Sequence, residues 1–319
     1  MFKKILVPLD GSPLSEEAVP FAANLASRLN AQLLLFRVLE RGLLERDTHD
    51  SGFETETREY LELIKQRLVN DFGFNSELVK LRMVSGEPAE EIALFSHTEK
   101  CDLIVMASHG RSGLSRLIMD SVAAEGVRKA PVPVIIRHSR LREEFVGNPL
   151  LTPIVVTLDG TPTAESALEP AFELAQQYGC PLLLLRVLKP FVPVDELEEW
   201  FAENENKGQD YLDSHAFDSY RLKAMNYLEK VAAPLKAKLV QCDTALVVGD
   251  PSEEITKYVR AVEAKLLVIA TQGHGDIYMF LLGSVADEVF QHSDVPVMLV
   301  HVASHPHNLK STEEVATPV

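Results

Sequence analysis

Two stretches of this chain carry residues that could hold a phosphate. Leu266-Leu267-Val268-Ile269-Ala270-Thr271-Gln272-Gly273 reads as a buried strand running into a small-residue turn, and nine residues later the chain reaches Gly283-Ser284. Where a strand turns into a helix, unpaired backbone N–H groups gather around a concave spot that suits an anion. Leu103-Ile104-Val105-Met106-Ala107-Ser108-His109-Gly110 repeats the design and ends nine residues later in Asp120-Ser121. The copies differ most where Gly283 faces Asp120. A carboxylate ~4 Å from a phosphate oxygen repels it by about 1 kcal/mol in bulk water and several times more in a partly dry cleft. The Asp120 copy is therefore expected to have lost its triphosphate site.

Such turns need strands and helices to position them. Lys4-Ile5-Leu6-Val7-Pro8-Leu9 reads as a first strand that ends in Asp10-Gly11-Ser12. A helix is expected from about Ser15 to Leu29, with Ala18, Phe21, Ala22, Leu25 and Ala26 on one face. Leu33 to Val38 is a nearly unbroken apolar run, typical of a strand buried on both faces. A polar stretch over residues 40–55 leads into a helix over about 56–70, and a third strand is expected near Val79 to Val84. Pro88, just after Gly86-Glu87, opens a further helix. Val132-Pro133-Val134 and Val295-Pro296-Val297 are placed in the last strand of each half. Proline cannot donate to a ladder and favours a sheet edge, so the two halves are expected to join there.

The second half repeats the first. Asp159-Gly160-Thr161 follows Asp10-Gly11-Ser12 at an offset of 159 − 10 = 149, and Gly249-Asp250-Pro251 follows Gly86-Glu87-Pro88 at 249 − 86 = 163. The second half thus carries 163 − 149 = 14 extra residues between Val187 and Gly249. They include Asp195-Glu196-Leu197-Glu198-Glu199-Trp200-Phe201, read as an acidic helix with an apolar stripe. Constant offsets over several motifs make the duplication secure. Strands alternating with helices at this spacing imply an α/β fold, a parallel sheet with helices on both faces. The expected division is a domain over 1–140, a linker over 141–150, a domain over 151–302 and a disordered tail over 303–319.

Composition narrows the function classes. With 319 residues, 46% hydrophobic and 24% charged, the chain is long enough for a sizeable core in each half. A formal net charge of -16 and no Lys/Arg cluster argue against nucleic acid as a partner. No apolar run approaches the ~20 residues of a membrane span, and the start runs directly into a strand, so a cytoplasmic protein is expected. Cys101, Cys180 and Cys242 are isolated and odd in number, which speaks against disulfides or zinc.

Taken together, the Asp-Gly strand ends, the Gly-x-Pro-[Ala/Ser]-Glu-Glu-Ile helix starts and the Ser-His-Gly-Arg-Ser-Gly turn resemble the universal stress protein family, in a tandem two-domain arrangement. The resemblance spans about residues 1–138 and 151–302 and implies two Rossmann-like, adenine nucleotide alpha hydrolase-like domains, each with five mainly parallel strands. It also implies pairing along the last strand, homodimers, and binding of ATP or AMP with or without Mg²⁺. In the second half the matching site residues are Thr157, Asp159, Val187, Ala270, Gly273, His274, Gly283, Ser284 and Val285. In the first half, with less support, they are Asp10, Val38, Gly110 and Ser121. Read physically, Asp10 and Asp159 either bind a ligand at the strand ends or simply shape turns. Ser284 either donates to phosphate or caps the next helix, with Asp287 three residues on.

The expected function is a non-enzymatic, adenine-nucleotide-binding stress or regulatory protein, with nucleotide mainly in the second half. The second excursion, His274-Gly275-Asp276, contains no Lys or Arg, whereas the first has Arg111 and Arg116. A regulatory scaffold that binds an unidentified protein partner or another small ligand is the alternative. A slow ATPase ranks last, because neither a Walker lysine motif nor a Ser-His-Asp pattern stands out.

Overall fold

The computed structural model describes residues 2–39, 51–108, 129–138, 152–191, 209–238, 241–272 and 284–302. The first half runs β1 (Lys4–Pro8), α1 (Pro13–Glu16), α2 (Ala18–Leu29), β2 (Gln32–Leu39), α3 (Ser51–Phe72), β3 (Val79–Ser85), α4 (Pro88–Thr98), β4 (Leu103–Ser108) and β5 (Val134–His138). The second half runs β6 (Ile154–Thr157), α5 (Pro162–Glu165), α6 (Leu168–Tyr178), β7 (Leu182–Leu188), α7 (Gln209–Ala237) and β8 (Cys242–Val248). It continues with α8 (Pro251–Ala261), β9 (Leu266–Gln272), α9 (Ser284–His292) and β10 (Val297–Val302).

The ten strands among the described residues form one sheet in the order β3-β2-β1-β4-β5-β10-β9-β6-β7-β8. Pairing within each half is parallel, and the halves meet through an antiparallel β5–β10 pair. Its register is Ile136 with Val297, Ile135 with Met298 and Val134 with Leu299. At the repeat offset of 163, Val134 corresponds to Val297 and Ile136 to Leu299, so the seam has local two-fold symmetry about Ile135 and Met298. The edge pairing expected from the prolines is thus realised, although Pro133 and Pro296 stand just ahead of the strands rather than inside them. Their carbonyls accept from Ile104 and Leu267, which costs the ladder no missing donor.

Strand alternation sends side chains into two layers. Ile5, Val7, Leu33 and Leu35 face α2 and α3, packing with Phe21, Leu25, Leu61 and Leu68. Leu6, Leu34 and Phe36 face α4, where Phe36 stacks on Phe95 with ring centroids 4.4 Å apart. In α3 the buried residues Thr57, Leu61, Ile64 and Leu68 recur at helical spacing beneath an exposed charged face. The polarity of residues 51–55 reads as loop, whereas α3 already includes Ser51.

The helix expected from Ser15 to Leu29 is two helices, α1 and α2, meeting at Glu17. Pro20 supplies the reason: its ring opposes the carbonyl of Glu16, four residues earlier, and it has no N–H to donate. Pro170 does the same between α5 and α6. The linker over 141–150, the tail over 303–319 and the acidic stretch from Asp195 to Phe201 lie outside the described residues.

Candidate functional site

Each half places its first strand where the chain reverses direction across the sheet. The order β3-β2-β1-β4 shows the chain stepping outward from β1 and then crossing back to β4, and β8-β7-β6-β9 does the same. Parallel sheets open a crevice at the carboxyl ends of the strands at such a reversal, and ligands settle there. Asp10 and Asp159 lie just past the ends of β1 and β6, at that crevice.

Both aspartates are exposed and start a helix. Asp159 Oδ1 accepts from Thr161 N at 2.8 Å and from Thr161 Oγ1 at 2.7 Å, while Thr161 Oγ1 caps α5 by accepting from Ala164 N at 3.2 Å. Asp159 Oδ2 has no hydrogen-bond partner among the described residues. In the first half Asp10 Oδ1 accepts from Ser12 N at 2.8 Å, and Ser12 Oγ accepts from Ser15 N at 3.1 Å. Burial alone would raise the Asp10 carboxyl, but hydrogen bonds from Ser12 and Ser15 outweigh it and hold it below the usual aspartate range. Turn shaping and an available carboxylate oxygen therefore coexist.

Beside each turn stands a side-chain group that sequence reasoning missed. Arg37, the residue before Val38 in β2, lays its guanidinium 5.0 Å from the Tyr60 ring centroid. Arg186, before Val187 in β7, sits 5.1 Å from the Tyr227 ring. Each guanidinium also backs the glycine after the aspartate. A Cβ on Gly11 would lie 2.9 Å from Arg37 Nη1, and one on Gly160 would lie 3.0 Å from Arg186 Nη2. Both glycines have positive φ, +85° and +98°, so the turn needs glycine for its backbone as well as its space. Burial, followed by the carboxylates of Glu16 and Glu165, pushes the Tyr60 and Tyr227 phenols well up, so both rings stay neutral. Neither guanidinium has an ion-pair partner among the described residues.

The signal was present: Arg37 and Arg186 are charges inside otherwise apolar strands, at the same 149 offset as Asp10 and Asp159. The tyrosines hid it, because their offset is 227 − 60 = 167. The second half therefore gains 167 − 149 = 18 residues before Tyr227 and loses 167 − 163 = 4 after it, which refines the net 14. Arg186 also changes the electrostatics, since it brings to the second half a cation that the 274–282 excursion lacks.

The remaining expected residues fall on neighbouring elements. Thr157 ends β6, with β7 on one side and β9 on the other, and is paired in register with Leu185. Val187 is half-buried on the face opposite Arg186, as Val38 is opposite Arg37. Ala270 lies in β9, two residues beyond the Val156–Val268 pair that joins β9 to β6. Ser284 is the first residue of α9 and exposed, with Val285 half-buried behind it. Asp287 accepts from Gln291 Nε2 at 2.7 Å, one turn further along that helix. Gly110, Ser121, Gly273, His274 and Gly283 lie outside the described residues, as does Asp120.

The crevice of each half thus holds one aspartate turn and one guanidinium without an ion-pair partner among the described residues. Among the described residues no group of three or more His, Cys, Asp or Glu side chains could hold a metal ion. None of the described helices is long and apolar enough to cross a membrane.

The model of the universal stress protein family matches residues 1–138 and again residues 151–301. The chain belongs to the universal stress protein family. Related universal stress proteins share its length: one from Mycobacterium tuberculosis is 25% identical over 304 residues, covering 92% of this chain and 96% of its own. A universal stress protein of Methanocaldococcus jannaschii is 32% identical over 142 residues, 43% of this chain and 82% of its own. The crystal structure of a universal stress protein from Archaeoglobus fulgidus covers 95% of this chain at 20% identity, with a TM-score of 0.67. That likeness shows a shared tandem α/β fold.

Proposed function

We propose that this universal stress protein is a non-enzymatic, cytoplasmic regulator that binds an adenine nucleotide, ATP or AMP, mainly in its second half. The observation that carries the reading is the crevice beyond β6. There a strand-end aspartate has one carboxylate oxygen, and a half-buried guanidinium stands near it, neither with a hydrogen-bond or ion-pair partner among the described residues. Asp159 Oδ2 would accept from a ribose hydroxyl, with the backbone around Thr157 and Val187 bordering the base. Arg186 adds a positive field to the cleft. The phosphates would run past Ala270 toward Gly273, His274, Gly283, Ser284 and Val285, where the start of α9 offers backbone N–H groups. Any Mg²⁺ would enter with the nucleotide, its ligands being chiefly phosphate oxygens and water.

In the first half, Asp10, Val38, Gly110 and Ser121 occupy the corresponding positions of the sequence, but Asp120 replaces the glycine there and would repel the phosphates. The expected stoichiometry is near one nucleotide per chain. Mass spectrometry of ligand released from the purified protein, with calorimetry on wild type and Gly283→Asp, tests this. Binding by wild type that the variant loses is expected; no nucleotide binding by wild type would turn the reading to a scaffold for a partner protein.

A further inference from the structure

The outer edge of the first half has a charge pattern that the nucleotide reading does not use. β3 pairs only with β2, so its outward N–H and C=O groups meet no strand among the described residues. Between β3 and α3 runs an open groove of about 710 Å³. The groove follows the exposed β3 edge: Arg58 and Lys65 line it from the α3 side, while Lys80 and Arg82, in register with Leu34 and Phe36, belong to the opposite face of the sheet. Glu62 and Glu77 also line it, yet none of the four cations is within ion-pair distance of a carboxylate among the described residues. Arg82 donates only to the carbonyl of Leu81 in its own strand, at 2.9 Å. Four cations flanking one strand edge, none with an ion-pair partner among the described residues, stand out in a chain of net charge -16.

The second half shows that the fold does not require them. At the offsets of 167 and 163 the four cations become Met225, Ala232, Asp243 and Ala245. The same cleft there is bridged by Thr244 Oγ1 donating to Glu229 Oε1 at 2.8 Å. Leu81 stands where Thr244 does and has no group to make that bond.

We propose that this groove docks an acidic, extended peptide segment of a partner protein, which adds to β3 as a further strand. An edge strand recognises an extended chain through its alternating donors and acceptors, and charge complementarity then selects carboxylate side chains. β3 has seven residues, enough for a segment of about 23 Å. A nucleic acid offers no matching ladder, and the acidic remainder of the surface repels a long polyanion. A second copy of the chain brings the same net negative charge to the encounter.

The test is fluorescence anisotropy of the full chain with a labelled seven-residue peptide of alternating glutamate and valine. Saturable binding is expected, with slowed amide exchange over Val79–Ser85. A loss of about tenfold or more is expected in Lys80→Glu/Arg82→Glu and in a peptide N-methylated at alternate amides. Arg58→Gln/Lys65→Gln, confined to the helix surface, gives the same readout if the strand variant fails to fold. No saturable binding, or equal binding of the N-methylated peptide, would overturn the proposal. So would equal binding of a short oligonucleotide, or self-association abolished by the same charge reversals, which would make a second copy the occupant.

Discussion

Replacing Gly160 by alanine tests whether the turn, the guanidinium and the ring act as one unit. Gly160 sits at φ +98°, where L side chains are strained, and holding alanine there costs on the order of 1 to 2 kcal/mol. The new Cβ would also lie 3.0 Å from Arg186 Nη2 and 3.2 Å from its Cζ, closer than ordinary contact. The guanidinium must then slide from its place over Tyr227, forfeiting part of a cation–π contact worth about 0.5 to 1 kcal/mol. Together the cost is about 2 kcal/mol, or a fall in Tm of about 3 °C for a chain of this size. Urea denaturation followed by circular dichroism, on wild type, Gly160→Ala, Arg186→Met and the double variant, separates the two contributions. The backbone strain persists without the arginine, but the clash does not, so a coupling of about 0.5 to 1 kcal/mol is expected. A Gly160→Ala cost below about 0.5 kcal/mol, or costs that simply add, would refute the coupled-turn argument.

Three further outcomes follow from burial and charge. Burial pushes the Cys101, Cys180 and Cys242 thiols up to about 11, so a thiol-specific disulfide reagent at pH 8 should label none of the three in the native protein and all of them in urea; prompt native labelling would contradict this. Asp10 is held below its unfolded value of 3.8, so its stabilisation is present above about pH 4 and is lost as pH falls through the lower native value. Asp10→Asn should flatten the acid limb of a urea-midpoint profile, and an unchanged limb would remove the carboxylate from the turn. Met298 is fully buried on the β5–β10 seam, so Met298→Ala should cost about 2 to 5 kcal/mol by thermal melting. A cost comparable to that of an exposed residue would mean that the seam is not packed as described.

How much of this was legible in the sequence depended on whether a signal stayed local. The duplication, the parallel order and the last-strand seam all rest on motifs that keep a fixed offset, and they were readable. The break at Glu17 was equally local, yet the apolar face from Ala18 to Ala26 continues across the start of α2 and masks the clash at Pro20. The Arg37–Tyr60 and Arg186–Tyr227 contacts were not readable in that way, because strand and helix bring together residues 23 apart in one half and 41 in the other. Periodicity reports which face a residue occupies, and it is silent on which residue of another element it meets. The candidate site divides similarly: Asp159, Thr157, Val187, Ala270, Ser284 and Val285 fall on elements around the β6 crevice. The glycine turn, which the sequence singled out first, lies outside the described residues.

The placement of likeness and difference between the halves has a physical logic. A two-fold seam must present the same surface from both sides, and the Val134–Ile136 and Val297–Leu299 segments still do. Away from the seam, two separate copies would have to carry every change twice, whereas a fused chain can change one half alone. The buried Arg137, paired with Glu17, illustrates this: the counterparts of the pair are the buried Val300 and Ser166, whose Oγ donates to the carbonyl of Thr163 at 2.6 Å, so the ion pair has no equivalent in the second half. Losing Glu17 alone would leave the buried Arg137 charge without its partner, whereas Glu17 itself is partly exposed. The groove cations and the Asp120–Gly283 difference follow the same pattern, one half carrying a charge that the other has lost or, at Lys80 and Asp243, reversed. Fusion therefore permits a division of labour that a homodimer of identical halves could not hold. Under the two proposals made above, the second half would receive phosphates while the first would present its cationic edge to an acidic partner.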